Sequence, residues 1–105
     1  MPIRTASVRG YRVACYVDGM TKTRKTRQWP YEQACHLVCD TTRQLDDMAS
    51  CMELRPAWKQ KPNTDHEHYD LTENMRRRAI ECGATAIDWR EMARVFQRKA
   101  APWPR

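Results

Sequence analysis

Two short runs hold most of the side chains in this sequence that are equipped for chemistry. Cys35-His36-Leu37-Val38-Cys39 sets an imidazole between two thiols, and Asp65-His66-Glu67-His68-Tyr69-Asp70 alternates carboxylates with imidazoles. A Cys2His2 zinc site needs two such pairs converging on one tetrahedral ion, which makes Cys35, Cys39, His66 and His68 the candidate ligands. The second run also has the donor types of a hydrolytic divalent-metal site. Both runs have a plainer reading. On a helix, Cys35 and Cys39 lie one turn apart on an apolar face as small hydrophobes, and residues 65–70 form a solvated acidic loop before a helix start. The five cysteines (Cys15, Cys35, Cys39, Cys51 and Cys82) are odd in number, unlike a disulfide framework. The sequence therefore predicts reduced thiols, no bound metal and no cofactor.

Nucleophilic catalysis has little to work with. Ser7 and Ser50 are the only serines, the chain holds 3 glycines, and no phosphate-cradling loop or nucleophile elbow is present. Asp46 and Asp47 are adjacent, so on a helix they point about 100° apart and do not share a proton. The expectation is a binding protein rather than an enzyme, with no small-molecule substrate.

Charge is distributed unevenly. Arg4, Arg9, Arg12, Lys22, Arg24, Lys25 and Arg27 face Asp18 alone in the first 29 residues, which thereby hold the whole net charge of +6. A field concentrated in this way steers a protein toward polyanions. The expected partner is nucleic acid, or an acidic surface of a host protein or nucleoprotein complex. Lysines that discourage edge pairing of a strand are the plainer reading. Arg9, Arg12, Lys22, Arg24, Lys25 and Arg27 are the candidate contacts, with Tyr16 and Trp29 available for stacking. Arg76 and Arg77, from an arginine triplet on a later helix, are candidate phosphate or carboxylate forks.

The elements that must position these groups follow from periodicity. A chain of 105 residues is one domain by size. Residues 7–29 read as a basic β-hairpin turning at Asp18-Gly19, because a type I′ turn needs positive φ at both central positions. That turn would pair Val17 with Met20 and Cys15 with Lys22. Residues 30–55 read as a long amphipathic helix with Pro30 at its first position, burying Ala34, Cys35, Val38, Leu45 and Met48. A loop over 56–70 leads to a helical hairpin over 71–100. Asp70 and Glu73 form its capping box, Gly83 ends its first helix, and Trp89, Met92, Ala93 and Phe96 are the buried face of its second. Residues 101–105 form a tail. The expected class is α+β: a small antiparallel sheet packed on a long helix, then a helical hairpin. No membrane-spanning run or signal peptide is visible, which predicts a cytoplasmic protein.

One stretch carries a family resemblance. Gly10-Tyr11-Arg12-Val13-Ala14-Cys15-Tyr16-Val17-Asp18-Gly19, a polar Thr/Lys/Arg strand, and Trp29-Pro30-Tyr31-Glu32-Gln33-Ala34 resemble the arm-type, AP2-like DNA-binding domain of phage tyrosine recombinases over residues 9–40. The resemblance implies a short sheet laid into the major groove, with basic strand residues on phosphates and bases. The other expectation from the chain's class is a compact inhibitor or adaptor from a phage or mobile element, such as an anti-CRISPR protein. A supply of Trp, Tyr, Arg and Met suits such an interface.

Overall fold

A computed structural model describes residues 14–100, so Arg4, Arg9 and Arg12 lie outside the described residues. The architecture is a mixed α/β domain: one small sheet of five strands and three helices. In chain order these are β1 (Cys15–Val17), β2 (Thr21–Lys22), β3 (Gln33–Cys39), α1 (Thr42–Cys51), β4 (Tyr69–Leu71), α2 (Glu73–Glu81), β5 (Thr85–Ala86) and α3 (Trp89–Lys99), with a short 3-10 turn at Pro56–Trp58.

β3 is the centre. Leu37 pairs with Val17 of β1 on one side and with Tyr69 of β4 on the other, both antiparallel. β2 continues β1 along the same edge, and β5 joins β1 in parallel. Asp18-Gly19 is therefore not a hairpin turn, and the pairing of Val17 with Met20 does not form. The ladder runs past it from Val17↔Leu37 to Thr21↔Ala34, four residues on one strand against three on the other. The extra residue makes a bulge. Asp18 fills the gap in the ladder with its own carboxylate, which accepts the His36 amide at 2.7 Å. Among the described residues the glycine with positive φ is Gly83, not Gly19. The true hairpin turns at Thr26–Trp29, where the Thr26 amide donates to the Trp29 carbonyl (2.9 Å) and the Trp29 amide to Thr26 Oγ1 (2.9 Å).

The expected long helix over 30–55 divides in two. Residues 33–39 form β3, and the helix begins only at Thr42, where Thr41 and Gln44 make a reciprocal capping box. A strand paired on both edges and covered on both faces reads as a continuous apolar run, and Ala34, Cys35 and Val38 mimic helical spacing by chance. The helical hairpin divides as well. Tyr69–Leu71 are strand, Thr72 rather than Asp70 caps α2, and Thr85–Ala86 are β5 rather than the start of α3. Gly83 does follow the C-cap of α2, with φ 111°.

Side-chain alternation across the sheet builds two cores. Cys15, Val17, Cys35, Leu37, Cys39, Tyr69 and Leu71 face α1 and α2, meeting Leu45, Met48, Met52 and Ala79. Tyr16 and Val38 face the other way, toward Met92, Val95 and Phe96 of α3. The α3 face is rotated from the expected one: Val95 is buried, Ala93 is exposed, and Trp89 is 70% exposed. His36, on the same sheet face as Val38, is only half-buried.

The cysteines pair, contrary to the expectation of reduced thiols. Cys15 bonds Cys39 and Cys51 bonds Cys82, leaving Cys35 free and buried. As a strand, the 35–39 segment sets Cys39 directly opposite Cys15 in the ladder. The ends of α1 and α2 bring the other two together.

Candidate functional site: a basic arm, an aromatic cleft and a histidine cluster

The hairpin of β2 and β3 extends beyond the sheet as an arm over residues 21–32. The Thr23 amide still reaches the Glu32 carbonyl at 2.8 Å, so the arm is a paired ribbon rather than a loose loop. Lys22, Arg24, Lys25 and Arg27 are all exposed on it. One acid lies close, Glu32, at 3.5 Å from Lys25 Nζ. The arm therefore presents concentrated positive charge into solvent.

Against the returning limb of the arm lies a cleft of about 360 Å³ lined by Trp29, Tyr31, Trp58, Gln60, Asp70 and Met75. Trp29 and Tyr31 meet edge to face at 4.9 Å, and Trp29 Nε1 donates to the Gln33 carbonyl at 3.3 Å. Tyr31 and Trp58 are about half exposed, and the Arg55 guanidinium sits 5.7 Å over the Trp58 ring. Trp29 thus forms part of the cleft wall.

Tyr16 does not. Its hydroxyl reaches Asp40 at 3.3 Å and accepts from Arg98 at 3.2 Å, and Arg98 also binds Asp40 at 2.8 Å. Burial, then the Asp40 carboxylate, raises the Tyr16 pKa above its ordinary value. The trio holds α3 on the sheet. Arg76 also serves the fold, with Nε donating to the Asp18 carbonyl at the bulge (2.7 Å), while Arg77 donates to Asn74 on its own helix.

Beside the cleft the sheet assembles a cluster of titratable groups. Asp18, His36 and Asp70 form a row across three adjacent strands, since His36 faces Asp70 in the β3–β4 register and the bulge sets Asp18 on the other side. His68, two residues before Asp70, points to the same face. Its ring lies 5.2 Å from that of His36, centre to centre, and its Nε2 lies 3.4 Å from Asp70 Oδ1. His36 Nδ1 lies 2.9 Å from Asp18 Oδ2. That hydrogen bond raises the His36 pKa against the opposing effect of burial. Burial alone would raise the Asp18 carboxyl, but the hydrogen bonds from the side chain and amide of His36 hold it below its ordinary value.

The approach to His68 is held by Glu67. This carboxylate is 2% exposed and accepts from Thr42 Oγ1 (2.6 Å) and the Asn63 amide (3.2 Å), with Lys59 Nζ at 3.9 Å. It shapes the loop between Gln60 and His68, which bridge each other in antiparallel fashion.

The four candidate zinc ligands, Cys35, Cys39, His66 and His68, do not converge. Cys39 is in a disulfide, and Cys35 lies on the opposite sheet face, its thiol pushed up to about 12 chiefly by burial. His66 stacks on Phe96 of α3 at 5.0 Å. Of the four, only His68 joins the cluster. Asp70 comes from the same run of carboxylates and imidazoles as His68, whereas His36 joins them through strand register, which leaves no spacing signal.

A family model covers residues 15–99, a span that contains the cluster, the cleft and the arm. The chain belongs to the family described as protein of unknown function DUF4031. No curated protein and no solved structure matches it. For this DUF4031 chain, chemistry must therefore be argued from the residues themselves. None of its helices among the described residues is long and apolar enough to cross a membrane.

Proposed function

We propose that this chain binds nucleic acid, with the arm over residues 21–32 as its main contact and single strands as its preferred form. The observation that carries this reading is the exposure of Lys22, Arg24, Lys25 and Arg27 on one paired ribbon with Glu32 as the nearby acid. Phosphate contacts of this kind supply sequence-independent affinity that falls with salt. The cleft adds the second ingredient of single-strand binding. Trp29, Tyr31 and Trp58 offer aromatic faces, and every base has a π-face to meet them. The arm is too short and too polar to bury area in a protein core, which leaves its charge as its evident use.

The test is fluorescence anisotropy with labelled single-stranded and duplex oligonucleotides over a salt series. Replacing Lys22, Arg24, Lys25 and Arg27 together by Gln should lower affinity strongly and flatten the slope of log K against log salt by about three, as loss of about four phosphate contacts requires. Trp58→Ala should weaken single-strand binding more than duplex binding. An unchanged slope in the four-fold variant would refute the reading, as would recovery of a protein partner from lysate that survives nuclease and needs the same four residues.

A further inference from the structure

We infer that His36, His68 and Asp70 form a binding site for one divalent transition-metal ion, with an open side toward the aromatic cleft. The inference does not depend on the nucleic-acid reading, because it rests on different side chains and on a different kind of ligand.

The first observation is convergence. One ligand atom from each of His36, His68 and Asp70 lies within 4.8 Å of the others, in a setting that is half-buried rather than solvated on all sides. His68 Nε2 and Asp70 Oδ1 are 3.4 Å apart. A tetrahedral ion with bonds of about 2.0–2.1 Å holds its ligand atoms about 3.4 Å apart. That pair is therefore already at the spacing a metal would impose, and His36 needs only a side-chain adjustment to complete the set.

The second observation is independent of the first and concerns the far side of each ring. His68 Nδ1 lies 2.7 Å from the His66 carbonyl. A carbonyl only accepts, so this nitrogen carries the proton and Nε2 keeps its lone pair in the neutral ring. His36 Nδ1 lies 2.9 Å from Asp18 Oδ2, an oxygen of a carboxylate that accepts hydrogen bonds. The same assignment follows for His36. Both imidazoles are thus fixed as Nε2 ligands by outer partners, one a carboxylate and one a main-chain carbonyl. Metal-binding histidines are held in this way, and the outer partner sets ring orientation and basicity. The fold holds one of these partners from two further sides: the His36 amide donates to the Asp18 carboxylate at the β-bulge, and Arg76 donates to the Asp18 carbonyl.

The donor set fixes the class of ion. Two imidazole nitrogens and one carboxylate suit zinc, iron(II) or cobalt(II) over calcium or magnesium, which take mainly oxygen. Three protein ligands leave at least one position for water or a ligand atom. Asp70 also lines the cleft, so that position opens toward Trp29, Tyr31 and Trp58. The ion would be Lewis acidic beside a surface that accepts planar rings.

Zinc(II) alone is the probe. Isothermal titration of the full chain, purified with chelator and then freed of it, should give one ion per chain. His36→Gln, His68→Gln and Asp70→Asn should each abolish measurable binding. Asp18→Asn should weaken it about 10- to 100-fold, as loss of an outer partner does. His66→Gln and Cys35→Ser should leave it in place. Nitrogen-15 NMR of the histidine rings supplies a readout that needs no variant to fold: zinc should shift Nε2 of His36 and His68 and leave His66 unmoved. Absence of zinc binding, binding lost in Cys35→Ser but kept in Asp70→Asn, or a ring shift confined to His66 would each overturn the site.

Discussion

Asp18 shows how one side chain does the work of several. Its carboxylate replaces a ladder acceptor for the His36 amide, orients the His36 ring, and lies within the bulge that Arg76 secures. The charges of the pair have a predictable pH signature in the metal-free protein. The His36 pKa is raised above 6.5, so its contribution is complete below 6.5 and fades as pH rises through the raised value. The Asp18 pKa is lowered below 3.8, so its contribution is complete above 3.8 and fades as pH falls through the lowered value. The shared attraction is strongest between those limits. Asp18→Asn should therefore reduce the melting temperature most in mildly acidic solution and less above neutrality; a loss that does not vary with pH would contradict this. Cys35 belongs to the same scale. With its thiol at about 12 and its side chain buried, it should resist alkylation at about pH 8 until the protein is unfolded.

At the level of elements, each helix is defined by a cap and a buried face. α1 starts at the Thr41 box and buries Leu45, Met48 and Ala49 against the sheet. Leu45→Ala should cost roughly 2–5 kcal/mol, as deletion of a buried leucine side chain does; a loss within error in chemical denaturation would mean the face is assigned wrongly. α3 starts at the Asp88–Glu91 box and buries Met92 and Val95. Here the contrast is the test. Val95→Ala should destabilise measurably, whereas Trp89→Ala, at an exposed position, should stay within about 0.5 kcal/mol. β4, α2 and β5 form a single crossover. β4 and β5 both run parallel to β1, and the chain passes over β3 and β1 to join them. Gly83 permits that turn at φ 111°, a conformation in which a Cβ is strained.

Across the whole molecule, two disulfides tie the sheet to itself and α1 to α2. They span 24 and 31 residues, and closing loops of that length restricts the unfolded chain by roughly 3–4 kcal/mol each in the entropic account. The protein purified without reductant should therefore have a mass four hydrogens below that of the reduced chain, and reductant should lower its melting temperature substantially. Five free thiols in the purified protein, with a melt indifferent to reductant, would contradict the pairing. Charge has its own large-scale arrangement. The arm stands away from both cores, so its basic side chains are spared the cost of burial and remain available to a partner.

The residues by themselves determined what depends on local chemistry. They fixed the concentration of charge before residue 30, the amphipathic face of α1 and the glycine stop after α2. Each is a property of neighbours in the chain, so composition and spacing carry it. Tertiary structure decided the rest. Residues 33–39 are a strand because β1, β2 and β4 are there to pair with them, and no local signal separates a doubly covered strand from a buried helix. The same decision moved Cys39 from a helical turn shared with Cys35 to a place opposite Cys15. It also set His36 beside Asp70 and Asp18, three residues with no common spacing. Strand pairing works between distant segments and turns alternate side chains to opposite faces, so a one-residue change of register would scatter the cluster while leaving the sequence pattern unchanged.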